Sequence, residues 1–325
     1  MAFIHTNTNL KQAYDLIGDV HGCAHSLESL LKKMGYQHRQ GCYRHPDRKV
    51  IFVGDIVDRG PRIREALHIV KDMVDQNQAE IVLGNHEYNA MCYCTEGRKG
   101  SGRQYLREHN ARHHRLIRET LEQFENYPQE WKDFLAWFHE IPLFIEKENF
   151  RVVHACWDNS AILRFKALSP SHCISVNMLH DSVNDDSFAG GVIDKLTRGT
   201  ALELPNGETI LGKDGLARHM FRTKFWSDKP QTYADVVFQP DPLPLEMAKR
   251  ALSAIEKQKL LHYSPSELPV FVGHYWMSSD PAPITDNIAC LDYSAVKYGR
   301  MVAYQMDDEQ CLSREKFIWV GVDRE

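Results

Sequence analysis

Three short stretches place carboxylates, imidazoles and an amide where the chain turns. GDVHG carries Asp19 and His21, GDIVDRG carries Asp55, Asp58 and Arg59, and GNHE carries Asn85 and His86. Two further imidazoles follow, His154 in VVHACW and His274 in FVGHY. Asp19, His21, Asp55, Asn85, His154 and His274 form a mixed set of carboxylate, amide and imidazole. Such a set suits Mn²⁺, Fe or Zn²⁺ better than a soft thiolate site does. Asp55 is central in this series and is able to bridge two ions. A pair of metals ~3.5–4 Å apart can hold a hydroxide between them and clamp the oxygens of a phosphoryl group during in-line attack. One GD turn says little. Three polar motifs in order, each at the end of a strand, say a great deal more.

The elements that position them are readable. Val50 to Val53 is a continuous apolar, β-branched run of the kind that is covered on both faces. Gly54 breaks it, and Pro61 opens a helix where its missing N–H does no harm. Ala13 to Asp19 reads as an earlier strand and Glu80 to Leu83 as a later one. Between them lie two amphipathic helices, the first with Leu27, Leu30, Leu31 and Met34 on its apolar face and the second with Ile63, Ala66, Leu67, Val70, Met73 and Val74 on its own. A short hairpin, Gln37 to Asp47, joins the first helix to the central strand. Strand, helix, strand, helix, strand is a parallel α/β unit, and such sheets bind ligands beyond the carboxyl ends of their strands.

Beyond GNHE the pattern turns helical. GRKGSG at 97–102 is a loop, Tyr105 to Phe124 reads as a charged helix, and Trp131 to Phe138 as an aromatic one. Residues 98–118 hold Arg98, Lys99, Arg103, Arg107, Arg112, Arg115 and Arg118. They form either a solvated face or a basic rim that draws in an anion. Leu143 to Ile145 and Phe150 to His154 read as paired strands. Residues 159–268 form an insertion, with turn signals at Asn206-Gly207 and Asp214-Gly215. A final amphipathic stretch of the insertion holds Leu245, Ala248, Leu252 and Ile255. Strands at Pro269 to Val272, Ile288 to Asp292, Met301 to Met306 and Lys316 to Val320 suggest a second, mixed sheet packed on the first.

Composition narrows the class without naming it. The 325 residues are 43% apolar with a net charge of −5, as in an ordinary soluble protein. The chain accommodates one large domain, 1–325, with a helical elaboration at about 96–140 and the insertion at about 159–268. No run approaches the ~20 apolar residues of a membrane span. Residues 1–16 show neither the basic start nor the apolar stretch of a signal peptide. The eight cysteines include no CxxC pair and fit reduced thiols, so the expected compartment is the cytoplasm.

GDVHG, GDIVDRG and GNHE, followed by VVHACW and FVGHY, resemble the calcineurin-like metallophosphoesterases, within them the phosphoprotein-phosphatase family that includes bacterial diadenosine tetraphosphate hydrolases. The resemblance implies an α/β/β/α sandwich, two packed mixed β-sheets flanked by helices. It implies two divalent metals, Mn²⁺ first and Fe or Zn²⁺ otherwise. Asp19, His21 and Asp55 would hold one metal; Asp55, Asn85, His154 and His274 would hold the other. His86 matches the family's general acid, with Asp58 orienting it, and Arg59 matches the phosphate-binding arginine. Arg222 in FRTKFW is the candidate for a second phosphate contact, with Arg218 competing. Two departures stand out. The family's glycine after the strand histidine is replaced by Ala155-Cys156-Trp157, where the indole is expected to reshape the substrate approach. Asp292-Tyr293-Ser294 stands where the diadenosine hydrolases tend to read a DTG-like motif. Cys156 is weighed as a nucleophile and set aside.

The expected activity is phosphate-ester hydrolysis, led by phosphorylated Ser, Thr or Tyr in proteins because VDRG and WSD (Trp226 to Asp228) resemble that branch. The alternative is hydrolysis of a dinucleoside polyphosphate such as diadenosine tetraphosphate. Nucleic-acid end phosphatase and inactive binding module are the remaining alternatives. The partner is a phosphorylated substrate, with neither membrane nor nucleic acid expected.

Overall fold

The computed structural model describes residues 12–184, 186–204, 207–211, 217–238 and 243–322. Asn206, Asp214-Gly215 and residues 239–242, along with residues 1–11, lie outside them. Among the described residues the core is a pair of facing mixed sheets. The first runs in the order Asp292–Tyr293, Arg300–Met306, Ala13–Ile17, Arg48–Phe52, Ala79–Ile81, with Phe317–Gly321 also pairing with Arg300–Met306. Ala13–Ile17, Arg48–Phe52 and Ala79–Ile81 are parallel, with Leu16 opposite Ile51 and Ile51 opposite Glu80. Arg300–Met306 runs antiparallel to Ala13–Ile17. The second sheet runs Ile288–Cys290, Val270–Val272, Arg151–Val153, Phe144–Glu146.

Both faces of the parallel strands are covered, which is why they read as unbroken apolar runs. Alternate side chains point to opposite faces. Leu16, Ile51, Val53 and Val82 meet Val152, Phe271, Ala289 and Tyr304 between the sheets. Ile17, Val50, Phe52 and Ile81 face the other way, toward helices α1 (Ala24–Lys33) and α2 (Ile63–Asp75). Each fully buried Leu, Ile or Val there contributes about 1.5–3 kcal/mol, so this layering outweighs any local preference. The late strands differ from expectation in one respect. Arg300–Met306 and Phe317–Gly321 extend the first sheet, and the second is built around Val270–Val272 and Arg151–Val153.

Three helices follow GNHE: α3 (Asn85–Cys94), α4 (Ala111–Phe124) and α5 (Pro128–Phe138). Helix α4 starts six residues later than the charge pattern suggests, because the Asn110 side chain accepts the His113 N–H and caps it there. The preceding residues pack otherwise, with His109 stacked on the rings of Tyr93 and Tyr105. Helices α6 (Asn159–Leu168), α7 (Val176–Ser182) and α8 (Phe188–Arg198) begin the insertion. A three-stranded sheet follows, in the order Val237–Phe238, Met220–Thr223, Ala201–Glu203. It encloses its own apolar cluster, including Leu202, Phe221, Tyr233, Val236, Met247 and Leu252. The amphipathic stretch after it is broken into Leu245–Ala248 and Ala254–Lys259. Thr232 bridges to Ala251 between those pieces, and a Ser253–Glu256 capping box starts the second, leaving Ile255 exposed. No helix among the described residues is long and apolar enough to cross a membrane. All eight cysteines are free thiols.

Candidate metal centre

The parallel strands end at one edge, and the turns that leave them are tightly bent. His21, Asp55, Asp58, Arg59 and His274 all have positive φ, between 43° and 70°, in non-glycine residues. Each such residue costs of order 1–3 kcal/mol, and such strain collects at functional sites. Glu87 holds the central turn in place. Its buried carboxylate accepts the N–H groups of Asp55, Ile56 and Val57 at 2.9, 2.7 and 3.1 Å, and of Gly84 at 3.1 Å. Burial and the Asp55 charge push Glu87 up to about 7, while the Val57 and Ile56 N–H groups work against them. Close approach explains two glycines. A Cβ at Gly84 would stand 2.2 Å from Asp55 Oδ1, and one at Gly273 would stand 2.0 Å from Asp19 Oδ1.

Asp55 is the focus. Its Oδ1 accepts the His86 N–H at the start of α3, at 2.9 Å. Its Oδ2 lies 3.3 Å from His154 Nε2, 3.7 Å from His21 Nε2 and 3.9 Å from His86 Nε2. Two donor groups share it: His21, Asp55 and His86, and Asp55, His154 and His274, the atoms of each lying within 4.8 Å of one another. Backbone carbonyls fix two of the rings. His21 Nδ1 is 2.8 Å from Val57 O and His154 Nδ1 is 2.7 Å from Val53 O, so their N–H groups donate outward and turn Nε2 to the centre. His274 Nε2 is buried with no hydrogen-bond partner among the described residues. Asn85 Oδ1 lies 3.3 Å from His154 Nε2. Asp19 accepts the His274 N–H at 3.2 Å and belongs to neither group.

Burial and the close approach of carboxylates, imidazoles and guanidiniums set the electrostatics of this pocket. Burial and the Asp292 carboxylate push Asp19 well up. Burial would raise Asp55 too, but His154 and His86 outweigh it and hold the carboxyl well below its ordinary value. Burial is also overcome at His154, which Asp55 and Asp19 push up to about 10. Burial, with Arg59 and His86, pushes His21 down, and burial with Arg222 does so to His274. Inward imidazoles, of which His21 and His274 are held neutral, a shared carboxylate and an unpartnered buried Nε2 are the donors a divalent cation needs. The residues fit a metal pair.

Beside this group lies a His–Asp pair. His86 Nδ1 is 2.6 Å from Asp58 Oδ2. Asp58 Oδ1 accepts the Thr120 hydroxyl at 2.5 Å, and Thr120 Oγ1 accepts the Asp58 N–H at 3.1 Å. Burial pushes Asp58 up to about 8 and His86 down to about 3, so both favour their neutral forms. Arg59 donates from its two terminal nitrogens to His21 Nε2 at 3.0 Å and to His86 Nε2 at 2.8 Å. Its guanidinium is 5.3 Å from the Trp276 ring centroid.

All the residues singled out from the motifs converge at this edge. Arg222 joins them from the insertion: it donates to His274 O at 3.2 Å, and burial lowers it despite the nearby Tyr275 and Asp292. Arg218 is exposed on a separate hairpin. Trp157 does not line the approach. Its indole is buried against Phe144 and donates to Asn159, because the residue after Cys156 turns back into the core. Burial pushes the Cys156 thiol well up, and it donates to Lys195 O. The charges from 98 to 118 are partly spent locally, Arg98 on Asp181 and Arg118 on Glu119. Sequence reasoning missed Thr120, Glu87 and Arg198. Glu87 stood inside a motif already singled out. Thr120 gave no signal, being one threonine on an apolar helical face.

The model of the calcineurin-like phosphoesterases matches residues 14–264. The chain belongs to that family. Relatives include the protein named bis(5'-nucleosyl)-tetraphosphatase PrpE [asymmetrical] of Oceanobacillus iheyensis, 34% identical over 142 residues, covering 43% of this chain and 54% of that protein. The protein of the same name from Halalkalibacterium halodurans is 47% identical over 74 residues, 22% of this chain and 30% of that protein. The chain thus spans about half or less of the length of the curated relatives it matches. Among solved structures, a cold-active protein-tyrosine phosphatase of a psychrophile Shewanella sp. aligns over 96% of this chain and 80% of that chain, with a TM-score of 0.48 and 14% identity.

Proposed function

We propose that this phosphoesterase-family chain is a metal-dependent hydrolase of dinucleoside polyphosphates, with phosphoprotein phosphatase as the second reading. The observation that carries hydrolysis is the Asp55 carboxylate shared by two donor groups beside the His86–Asp58 pair. The substrate choice leans on the relatives named bis(5'-nucleosyl)-tetraphosphatases, and so prefers the alternative over the phosphoprotein branch suggested by VDRG and WSD.

In this reading Asp19, His21 and Asp55 hold one divalent cation, and Asp55, Asn85, His154 and His274 hold the other. Mn²⁺ is the metal of choice, with Fe or Zn²⁺ as alternatives. Such a pair supplies Lewis acidity toward the phosphoryl oxygens and an activated water. The protein's own groups do the rest. Arg59 leaves the two imidazole nitrogens and pairs its planar fork with phosphoryl oxygens. That frees the Nε2 lone pair of His86, which takes up a proton from solvent while Asp58 accepts from Nδ1 and fixes the ring, and then passes that proton to the departing oxygen. Arg222 adds a second contact to the phosphoryl group. The chain acts as a single domain, in the cytoplasm.

Purified protein with Mn²⁺ should release nucleotide from diadenosine tetraphosphate. Asp55→Ala should lose turnover by 10³-fold or so and lose bound metal by elemental analysis. Activity on a phosphopeptide alone moves the assignment to the second reading. No turnover of diadenosine tetraphosphate, phosphopeptide or p-nitrophenyl phosphate refutes both.

A further inference from the structure

A basic cavity of about 480 Å³ opens beside the candidate metal centre, lined by Arg103, Arg107 and Arg198 among others. It adjoins α3, the helix that His86 opens. Tyr88 and Asn89 follow His86 along α3; Tyr88 lines the cavity, and Asn89 Oδ1 accepts from Arg198 at 2.5 Å. Arg198, at the end of α8, lines the cavity and lies within charge range of both His86 and His274. The lining also includes Glu108 and Asp194. Asp194 is committed to Arg198 at 2.5 Å, and Glu108 accepts from Asn110. The Arg107 side chain meets the Cys92 thiol but its buried Nε has no hydrogen-bond partner among the described residues, where the exposed Arg103 side chain likewise reaches no acceptor. Desolvating a guanidinium N–H without an acceptor is costly, so its retention needs a reason.

A general acid faces the oxygen that leaves, so whatever follows that oxygen in the substrate must continue on the His86 side. A phosphomonoester on a small alcohol ends there. A dinucleoside polyphosphate continues as a charged chain ending in a nucleoside. The volume lies within the ~300–1,000 Å³ typical of small-molecule sites, and a concave basic site suits a compact polyanion better than an extended peptide.

We propose that this cavity seats the departing half of the substrate, a nucleoside polyphosphate held by Arg198, Arg107 and Arg103. The proposal rests on the hydrolase reading above and extends it to the residues that select a polyphosphate over a simple ester. Arg103→Glu is the primary variant, since the side chain is exposed and folding is not at stake; Arg107→Lys keeps the charge but changes the fork. Lys132→Glu on α5, outside the cavity, controls for the change in net charge. Steady-state rates on diadenosine tetraphosphate and p-nitrophenyl phosphate, with Mn²⁺, give the comparison. Arg103→Glu should lower kcat/KM for the tetraphosphate at least tenfold more than for the nitrophenyl ester, chiefly through KM, and Lys132→Glu should leave that ratio within twofold. Parallel losses on both substrates, or none, overturn the proposal. So does a selective loss on an acidic phosphopeptide without one on the tetraphosphate. Calorimetric binding of adenosine 5'-tetraphosphate gives a readout independent of turnover. If the wild-type protein hydrolyses nothing yet binds this probe, and Arg103→Glu weakens binding tenfold, the cavity assignment stands while the hydrolase reading falls. Unchanged binding in the variant overturns the cavity assignment whatever the activity.

Discussion

Replacing Thr120 with valine isolates the contribution of a single hydroxyl to the turn at Asp58. Thr120 is fully buried and is one of three buried residues on α4, with Ile117 and Phe124 as its apolar neighbours on that face. It makes two bonds to one residue, accepting the Asp58 N–H at 3.1 Å and donating to Asp58 Oδ1 at 2.5 Å. Valine fills nearly the same volume but strands both Asp58 groups. An unsatisfied buried N–H costs about 1–3 kcal/mol, and a lost bond to a carboxyl oxygen adds about 1 kcal/mol or more. The sum expected is about 3 kcal/mol in urea unfolding. Thr120→Ser keeps the hydroxyl and removes one methyl, for about 1 kcal/mol. The roughly 2 kcal/mol between them belongs to the hydroxyl. Asp58 sits at φ 70° and depends on this tether, so its loss should also misplace His86. A displacement of about 1 Å costs of order 10² in rate. The rate should fall most for a substrate whose leaving oxygen needs a proton, and least for p-nitrophenyl phosphate, whose phenolate departs readily. The reasoning fails if valine and serine variants unfold alike, or if valine slows both substrates equally.

Gly273→Ala should lower turnover by 10² or so, because the new Cβ would meet Asp19 Oδ1 at 2.0 Å and Val53 Cγ2 at 2.9 Å; metal content and rate measured on folded protein check it. Glu87→Gln should destabilise the chain by about 3 kcal/mol or more, since an amide cannot accept four backbone N–H groups through two oxygens; a thermal midpoint unchanged from wild type would count against it. Asp158 caps α6 by accepting the Ser160 and Ala161 N–H groups and pairs with Lys195 at 2.7 Å. Burial raises this carboxyl, but Lys195 and the two N–H groups win and hold it below its ordinary value. Its contribution is therefore complete above the unfolded-state pKa of about 3.9 and is lost as pH falls through the lower folded value. Asp158→Ala should cost about 1–2 kcal/mol at pH 7, with the gap closing in more acidic solution. A gap independent of pH removes the ionic part of the account.

The residues gathered at the candidate metal centre were legible because each ends a strand or opens the helix after one. Apolar runs at Val50 and Ile81 mark strands buried on both faces, and a glycine at each turn marks where the backbone bends toward a ligand. Less was legible where the same residue type serves either role. Thr120 on an apolar stripe reads as core until Asp58 is seen against it, and Trp157 reads as a wall until its ring is found inward. The helix around Leu245 failed for a physical reason: spacing promised one amphipathic face, but the Thr232–Ala251 bridge and the Ser253 cap divide it. Strand partners across long separations, such as Ala13–Ile17 beside Arg300–Met306, leave no trace in local spacing.

The small sheet of the insertion encloses its own cluster of side chains, and Arg222 projects from it onto the carbonyl of His274. An arginine delivered by a separately packed unit can withdraw when that unit loosens, while the donors on the main strands stay where they are. Amide exchange should therefore be faster through Met220–Thr223 than through Arg48–Phe52, and anions that engage Arg222 should slow the former selectively. The insertion would then act as a hand that closes on phosphate over a cage already set.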